Sequence, residues 1–173
     1  FALAMAIQNL LWGFMMPVAG MLADRYGYVL VIISGALVYA FGIWGMAVTD
    51  SATILYLTAG VLTGAGVSFT SFTLISTAMV RVVGPEKRSL VFGIGTAATS
   101  FGQVLFSPIT QGVIDGYGWE SGLFFLLFST LIILPLALLL PFSPGVKGEE
   151  ETSQTISEAI REATRHRGYI LLT

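Results

Sequence analysis

The chain has 173 residues, of which 55% are hydrophobic and only 10% carry a charge. Because about 25% of the residues in an ordinary soluble domain are charged, this composition excludes a water-soluble globular protein. The sequence has no cysteine, one histidine (His166) and a formal net charge of −2. It therefore offers no disulfide framework, no thiolate metal site and no basic footprint for nucleic acid, and we expect neither a metal nor another cofactor.

Five apolar runs are long enough to cross a membrane as helices. A hydrocarbon core of about 30 Å requires about 20 helical residues, since each residue rises about 1.5 Å. Runs of this length lie at about 2–22, 28–49, 53–80, 89–113 and 121–142. They contain no charged side chain, which would cost at least about 2.5–3.5 kcal/mol at the centre of a membrane helix. The sequence predicts an all-α integral membrane protein with a five-span bundle at 1–142.

The basic residues indicate how these spans are oriented. All eight lie in the loops after the first, third and fifth spans: Arg25, Arg81, Lys87, Arg88, Lys147, Arg161, Arg165 and Arg167. The alternate loops at 50–52 and 114–120 carry only acidic residues. By the positive-inside rule, the loops at 24–27 and 81–88 face the cytoplasm. This topology explains the rim cations Arg81, Lys87 and Arg88, which could also attract anions.

The composition changes after the fifth span. Residues 143–167 are rich in Ser, Pro, Gly, Lys and Glu and predict a cytoplasmic linker. Apolar residues recur within it at helical spacing and predict an amphipathic helix of about 156–166, either solvated or lying on the membrane surface. Residues 168–173 are typical of the start of another span. We expect the chain to be part of a longer protein, whose other transmembrane helices and the lipid bilayer are its partners.

Polar side chains in the third and fourth spans recur at helical spacing. The fourth span has Gly93, Thr96, Ser100, Gln103, Ser107, Thr110 and Gln111; the third has Thr63, Gly66, Thr70, Thr73 and Thr77, beside Gly60, Gly64, Ser68 and Ser71. A polar stripe along most of a helix indicates a water-lined path. The alternative is a packing role, because Ser and Thr often bond their own helix and small residues let helices pack closely.

We predict a cavity lined by polar residues of three spans. Its residues are Thr63, Thr70, Thr73, Ser100, Gln103 and Ser107, with Gln8 and Asn9 of the first span as further candidates. The second and fifth spans are nearly free of polar residues, and we expect the fifth to face lipid. The spans hold no carboxylate, His, Lys or Arg, so they lack both a buried proton carrier and a catalytic constellation. The sequence therefore does not predict an enzyme.

The loop GMLADRYG at 20–27 resembles the signature G-x-L-x-D-R-x-G of the major facilitator superfamily, with Gly20, Leu22, Asp24, Arg25 and Gly27 in the matching places. The resemblance implies that this loop joins the second and third of twelve helices. The five spans are then helices two to six of the N-terminal half, and the linker is the central loop of the fold. In this family the third and sixth helices lie at the periphery, and these correspond to the two apolar spans.

The resemblance also implies that Gly20, Asp24, Arg25 and Gly27 form a gating loop. A charged pair at a helix junction can hold a neighbouring helix end in one state and release it in another. The alternative is an ordinary tight turn with solvated charges. Tyr28 departs from the family pattern, which usually has Arg or Lys after the last Gly. Part of the loop's basic network is therefore missing or supplied from elsewhere.

A second resemblance lies at 86–102, where EKRSLVFGIGTAATSFG is similar to a monocarboxylate transporter signature at the entry to helix five. The stretch that continues through GYGW at 116–119 resembles bacterial members of the monocarboxylate and oxalate/formate branch. These resemblances imply a secondary active transporter, a symporter or an antiporter, that moves a small organic anion such as a monocarboxylate across a bacterial inner membrane. The alternatives are an antiporter for drugs or other metabolites and a non-transporting receptor on the same fold.

Overall fold

The computed structural model of the protein describes residues 2–49 and 51–140. Within them, five segments are long and apolar enough to cross a membrane: Ala2–Tyr26, Tyr28–Val48, Ala52–Val83, Pro85–Tyr117 and Trp119–Leu138. These first to fifth spans confirm the predicted all-α membrane architecture. The predicted linker at 143–167, with its amphipathic helix, and the segment at 168–173 lie outside the described residues.

The first three spans differ in regularity. The first is helix α1 (Ala2–Tyr26) and the second is α2 (Tyr28–Val48). The third consists of α3 (Ala52–Leu55), a π-helical turn at Tyr56–Leu62, α4 (Thr63–Phe69) and α5 (Phe72–Val83). Between α4 and α5 the backbone leaves the helical conformation, with Ser71 extended at φ −63° and ψ 148°. The third span is therefore irregular near its start and again just past its middle.

The last two spans are joined by a single residue. The fourth begins with a 3₁₀ turn at Pro85–Lys87 and continues as α6 (Arg88–Tyr117), and the fifth is made of α7 (Trp119–Leu131) and α8 (Ile133–Leu138). Helices α1 and α6 run several residues past the predicted spans, through the charges at Asp24 and Asp115. Such side chains can reach the polar interface, so they end the apolar run without ending the helix.

Gly27 forms the junction between the first and second spans. Its φ of 92° and ψ of 149° belong to a region of backbone conformation that is open almost only to glycine. Helix α1 ends at Tyr26 and helix α2 begins at Tyr28, so this one residue reverses the chain. Gly84 and Gly118 adopt the same conformation at two later junctions. The glycine at position 27 of the loop signature is therefore required by the backbone.

The second span lies at the centre of the described bundle. It packs against the first, third and fifth spans. Half of the residues in its most apolar stretch are buried, compared with 6% of those in the corresponding stretch of the fourth span. Another face of the helix is exposed and is mostly apolar, with Leu30, Leu37, Phe41, Trp44 and Val48 beside Ser34. Its apolar composition therefore reflects two surroundings, because lipid tails and a packed helix interface are about equally apolar.

Small residues bring the third span close to the second. A Cβ atom added to Gly66 would lie 2.6 Å from the Cα atom of Tyr39, and one added to Gly42 would lie 2.6 Å from Oγ1 of Thr63. Only a hydrogen atom fits at these two glycines, so the helix backbones approach closely, as small-xxx-small packing allows. One of the two predicted polar strips of the third span therefore faces the second span.

The adjacent strip of the third span faces the first span. A Cβ atom added to Gly64 would lie 2.8 Å from the backbone carbonyl oxygen of Gln8. The fully buried Ser68 hydroxyl donates to the carbonyl of Gly64 at 2.8 Å, and its oxygen lies 3.1 Å from the carbonyl oxygen of Trp12. The third span is thus fixed on two sides by its small and polar residues.

Candidate functional site

Three side chains from three spans meet at the basic end of the bundle. Asp24 lies near the end of α1, Tyr28 begins α2 and Arg81 lies near the end of α5. Nη2 of Arg81 is 2.8 Å from Oδ1 of Asp24, and the Tyr28 hydroxyl donates to the same oxygen at 3.2 Å. The guanidinium carbon of Arg81 lies 4.8 Å from the centre of the Tyr28 ring. We refer to Asp24, Tyr28 and Arg81 as the clasp.

The contacts of the clasp are exposed and individually weak. The side chains of Arg81 and Asp24 are 46% and 61% exposed, and an ion pair at such a site contributes at most about 1 kcal/mol. An exposed cation–π contact adds about 0.5–1 kcal/mol. Energies of this size can bias an equilibrium between two conformations without fixing one of them permanently.

Arg81, predicted as a rim cation, is the residue whose contact with the loop the sequence did not indicate. The positive-inside topology accounts for a basic residue at this end of the third span. Its partner Asp24 lies 57 positions away in the sequence, so the local sequence pattern cannot indicate the contact. The departure at Tyr28 was the available signal, since it left part of the loop's basic network either missing or supplied from elsewhere. The structure shows that Arg81 lies beside the loop and supplies that cation.

The other predicted residues of the gating loop and the rim lie outside the clasp. Arg25 is exposed, with its guanidinium carbon 5.4 Å from the centre of the Tyr26 ring. Gly20 lies inside α1, and an added Cβ atom would meet nothing within 4 Å among the described residues. Lys87 and Arg88 are exposed at the start of the fourth span. Within the described chain, the loop signature therefore contributes Asp24 to the clasp and Gly27 to the turn.

The polar stripe of the fourth span is open. Ser100, Gln103 and Ser107 are all exposed, and they extend over about 10 Å of one helix face, since seven residues rise about 1.5 Å each. The helix is held by edge-to-face packing of Phe72 on Phe92, with ring centres 5.9 Å apart, and by close packing of Gly122 on Ile114. These contacts leave the stripe uncovered by residues 2–49 and 51–140. The three polar side chains share one face of a continuous helix.

Thr63 is a correction to the predicted cavity. It is only 5% exposed, and its hydroxyl donates to the carbonyl of Thr58 at 2.9 Å. Its side chain lies against Gly42 of the second span. A buried threonine that is already hydrogen-bonded within its helix cannot line a water-filled path, so Thr63 has a packing role.

Thr70 and Thr73 lie on either side of the break in the third span. Thr70 is half-buried, and its hydroxyl donates to the carbonyl of Gly66 at 3.0 Å. This bond competes with regular helical bonding and accompanies the break. Thr73, in the first turn of α5, is exposed. The break was not predictable from the residues around it, because neither Gly nor Pro stands at 70–71.

Gln8 and Asn9 take different positions on the first span. Gln8 is half-buried, with its backbone carbonyl against Gly64. Asn9 is exposed, and its amide donates to the carbonyl of Met5 at 3.0 Å. The described chain thus presents Asn9, Thr73 and the stripe of the fourth span as exposed polar groups on three different spans.

An apolar cavity of about 500 Å³ lies between the second and third spans, at the end away from the clasp. Phe41, Trp44 and Ile54 are among its lining residues. The cavity includes none of the predicted substrate residues, and its lining offers no charged group to an anion. It is therefore not the candidate substrate site.

Comparison with known proteins places the chain in a family. Residues 1–172 match the family model described as Major Facilitator Superfamily. Monocarboxylate transporter 7 of Homo sapiens is 27% identical over 151 residues, covering 87% of this chain and 28% of the relative. Monocarboxylate transporter 3 of Gallus gallus is 29% identical over 146 residues, covering 83% and 26%. Monocarboxylate transporter 2 of Homo sapiens is 28% identical over 144 residues, covering 80% and 29%.

The chain therefore spans less than a third of the length of these relatives. The family match extends over all five spans, and it agrees with the loop signature at 20–27 and with the all-helical membrane architecture. The chain belongs to the major facilitator superfamily, a family of membrane transporters with a twelve-helix fold.

Proposed function

We propose that the chain is part of a secondary active transporter that moves a small organic anion, such as a monocarboxylate, by alternating access. The observation that carries this proposal is the open stripe of Ser100, Gln103 and Ser107 on the least buried span. The names of the relatives support the substrate class. Hydroxyl and amide groups on such a stripe can donate hydrogen bonds to a carboxylate.

The five described spans offer no charged side chain near the membrane centre that could neutralise an anion. The five described spans carry their charges only at their ends, and an intramembrane charge would be the expected partner of an anionic substrate. In a complete twelve-helix transporter, such charges and the proton carrier would come from other helices. The stripe would then act by orienting the substrate and by keeping the path hydrated.

The clasp is proposed to act as a gate. Its members belong to three spans, so its contact favours conformations in which the basic ends of these spans lie together. The basic loops at 24–27 and 81–88 would face the cytoplasm by the positive-inside rule. The resemblance of 86–119 to bacterial transporters favours a bacterial inner membrane. Gating by an ion pair requires that the pair form in one state more than in the other.

Uptake of labelled substrates tests the proposal. The intact protein in vesicles should take up labelled lactate, oxalate or formate faster than empty vesicles. A symporter should respond to an imposed proton gradient, whereas an exchanger should respond to unlabelled substrate trapped inside. Efflux of a bulky organic cation without uptake of any of the three anions would contradict the proposed substrate class. Absence of transport for all tested solutes at normal expression would contradict a transport role.

A further inference from the structure

We infer that Tyr28 is a positioning residue of the clasp, which holds Asp24 and Arg81 in contact without adding a second cation. This inference rests on the proposed gating role of Asp24. Tyr28 stands where the family usually has a basic residue. Tyrosine carries no positive charge, so it cannot play the part of that basic residue. Its geometry in this chain gives it a different role.

Tyr28 contacts both members of the ion pair through different parts of its side chain. The hydroxyl donates to Oδ1 of Asp24 at 3.2 Å, which is the oxygen that also accepts from Arg81 at 2.8 Å. The ring lies beneath the guanidinium of Arg81, 4.8 Å from its central carbon. One side chain therefore restrains the carboxylate in position and the cation in orientation.

The position of Tyr28 is fixed by the backbone around it. Gly27 adopts its glycine-only conformation immediately before, and α2 begins at Tyr28 itself. Asp24 lies four residues earlier on α1, so the hydroxyl bridges a helix junction. Because α2 also packs against the third span, which carries Arg81, Tyr28 fixes the approach of the first span to the third.

A basic residue at position 28 would act differently. Its charge would lie within a few ångströms of Arg81, and like charges at such distances repel each other. It would also compete with Arg81 for the same carboxylate oxygen. A neutral tyrosine neither repels Arg81 nor competes with it for Asp24. The charged contact of the clasp is therefore the Asp24–Arg81 pair between the first and third spans. Among residues 2–49 and 51–140, the contact that holds the basic end together is then the Asp24–Arg81 pair that Tyr28 aligns.

The test measures how far the basic end is open in the intact protein in vesicles. Thr96→Cys, on the polar stripe about two turns beyond Arg88, serves as the reporter cysteine. These 173 residues contain no other cysteine, and any cysteine elsewhere in the intact protein is first replaced by serine. A water-soluble thiol reagent is applied from the cytoplasmic side. Tyr28→Phe should speed modification about two- to threefold by removing one hydrogen bond, and Tyr28→Leu about five- to tenfold by also removing the ring.

Two further measurements separate positioning from a general structural role. Tyr26→Phe is the matched control. The Tyr26 ring contacts the guanidinium of the neighbouring Arg25 and lies outside the clasp, so this variant should leave the modification rate unchanged. In an Asp24→Ala background, Tyr28→Phe should have no additional effect, since the oxygen that accepts the Tyr28 hydrogen bond is gone. Equal acceleration in both backgrounds would mean that Tyr28 acts independently of the ion pair, and would overturn the inference.

The outcomes also distinguish this inference from the gating proposal. If Asp24→Asn speeds modification while Tyr28→Phe and Tyr28→Leu match the unsubstituted protein, gating by Asp24 stands and the role of Tyr28 is wrong. If Asp24→Asn also leaves the rate unchanged, both proposals are wrong. Acceleration by Asp24→Asn and Tyr28→Leu, with an intermediate rate for Tyr28→Phe, supports both.

Discussion

Asp24→Asn should slow uptake of the transported anion by up to about fivefold, because an exposed ion pair biases a two-state equilibrium by at most about 1 kcal/mol. The substitution removes the charge that attracts Arg81 at 2.8 Å, and it keeps the size of the side chain. Insertion should be unaffected, since Asp24 is exposed and makes no packing contact in the core. Initial uptake rates are measured in vesicles at equal protein content.

Arg81→Gln should slow uptake by a similar factor, and the double variant should be no slower than either single variant, because both changes break the same contact. Asp115→Asn is the matched control. Asp115 is an exposed carboxylate near the end of α6 that accepts a hydrogen bond from Gln111 of its own helix at 2.8 Å, and its loss should leave uptake unchanged. Normal uptake by Asp24→Asn at equal expression would contradict the proposed gate.

Gly66→Val should destabilise the protein strongly and lower the yield of folded protein. Even the Cβ atom of an alanine would lie 2.6 Å from the backbone nitrogen and the Cα atom of Tyr39, and backbone atoms of a packed helix cannot move aside alone. Overpacking usually costs about 1–3 kcal/mol, and here it acts between the two helices at the centre of the bundle. The yield of monodisperse protein in detergent and its apparent melting temperature measure the effect.

Gly112→Ala is the control for this prediction. A Cβ atom at Gly112 would meet nothing within 4 Å among the described residues, so the variant should fold in normal yield. Gly66→Ala should fall between the control and Gly66→Val. A normal melting temperature for Gly66→Val would show that the second and third spans do not pack in the way described.

Span length was predictable because it follows from helix geometry and membrane thickness. The positions of the helix ends were less predictable, because α1 and α6 continue through charged residues that end the apolar runs. The loop glycine at 27 was also predictable from its motif, and its positive φ gives the physical reason. The ion pair was not predictable, because Asp24 and Arg81 are brought together only by the packing of three helices.

The polar strips show most clearly where sequence reasoning ends. Thr63 and Ser100 belong to equally regular polar patterns, yet Thr63 is buried against the second span and Ser100 is exposed. Helical spacing tells which residues share a face, but it does not tell what covers that face. Hydroxyl groups that bond their own helix are compatible with both surroundings. Only the packing of the third span on the first and second distinguishes them.

The most direct test of the proposed transport path is the water access of the fourth span. Cysteines introduced singly at Ser100, Gln103 and Ser107 should react quickly with a water-soluble thiol reagent, since the thiolate forms only where water reaches the side chain. Cysteines at Phe101 and Leu105, which are also exposed but lie on the apolar side of the helix, should react several times more slowly. A transported monocarboxylate should protect the stripe cysteines. Equal reaction at all five positions, without protection by substrate, would contradict the account.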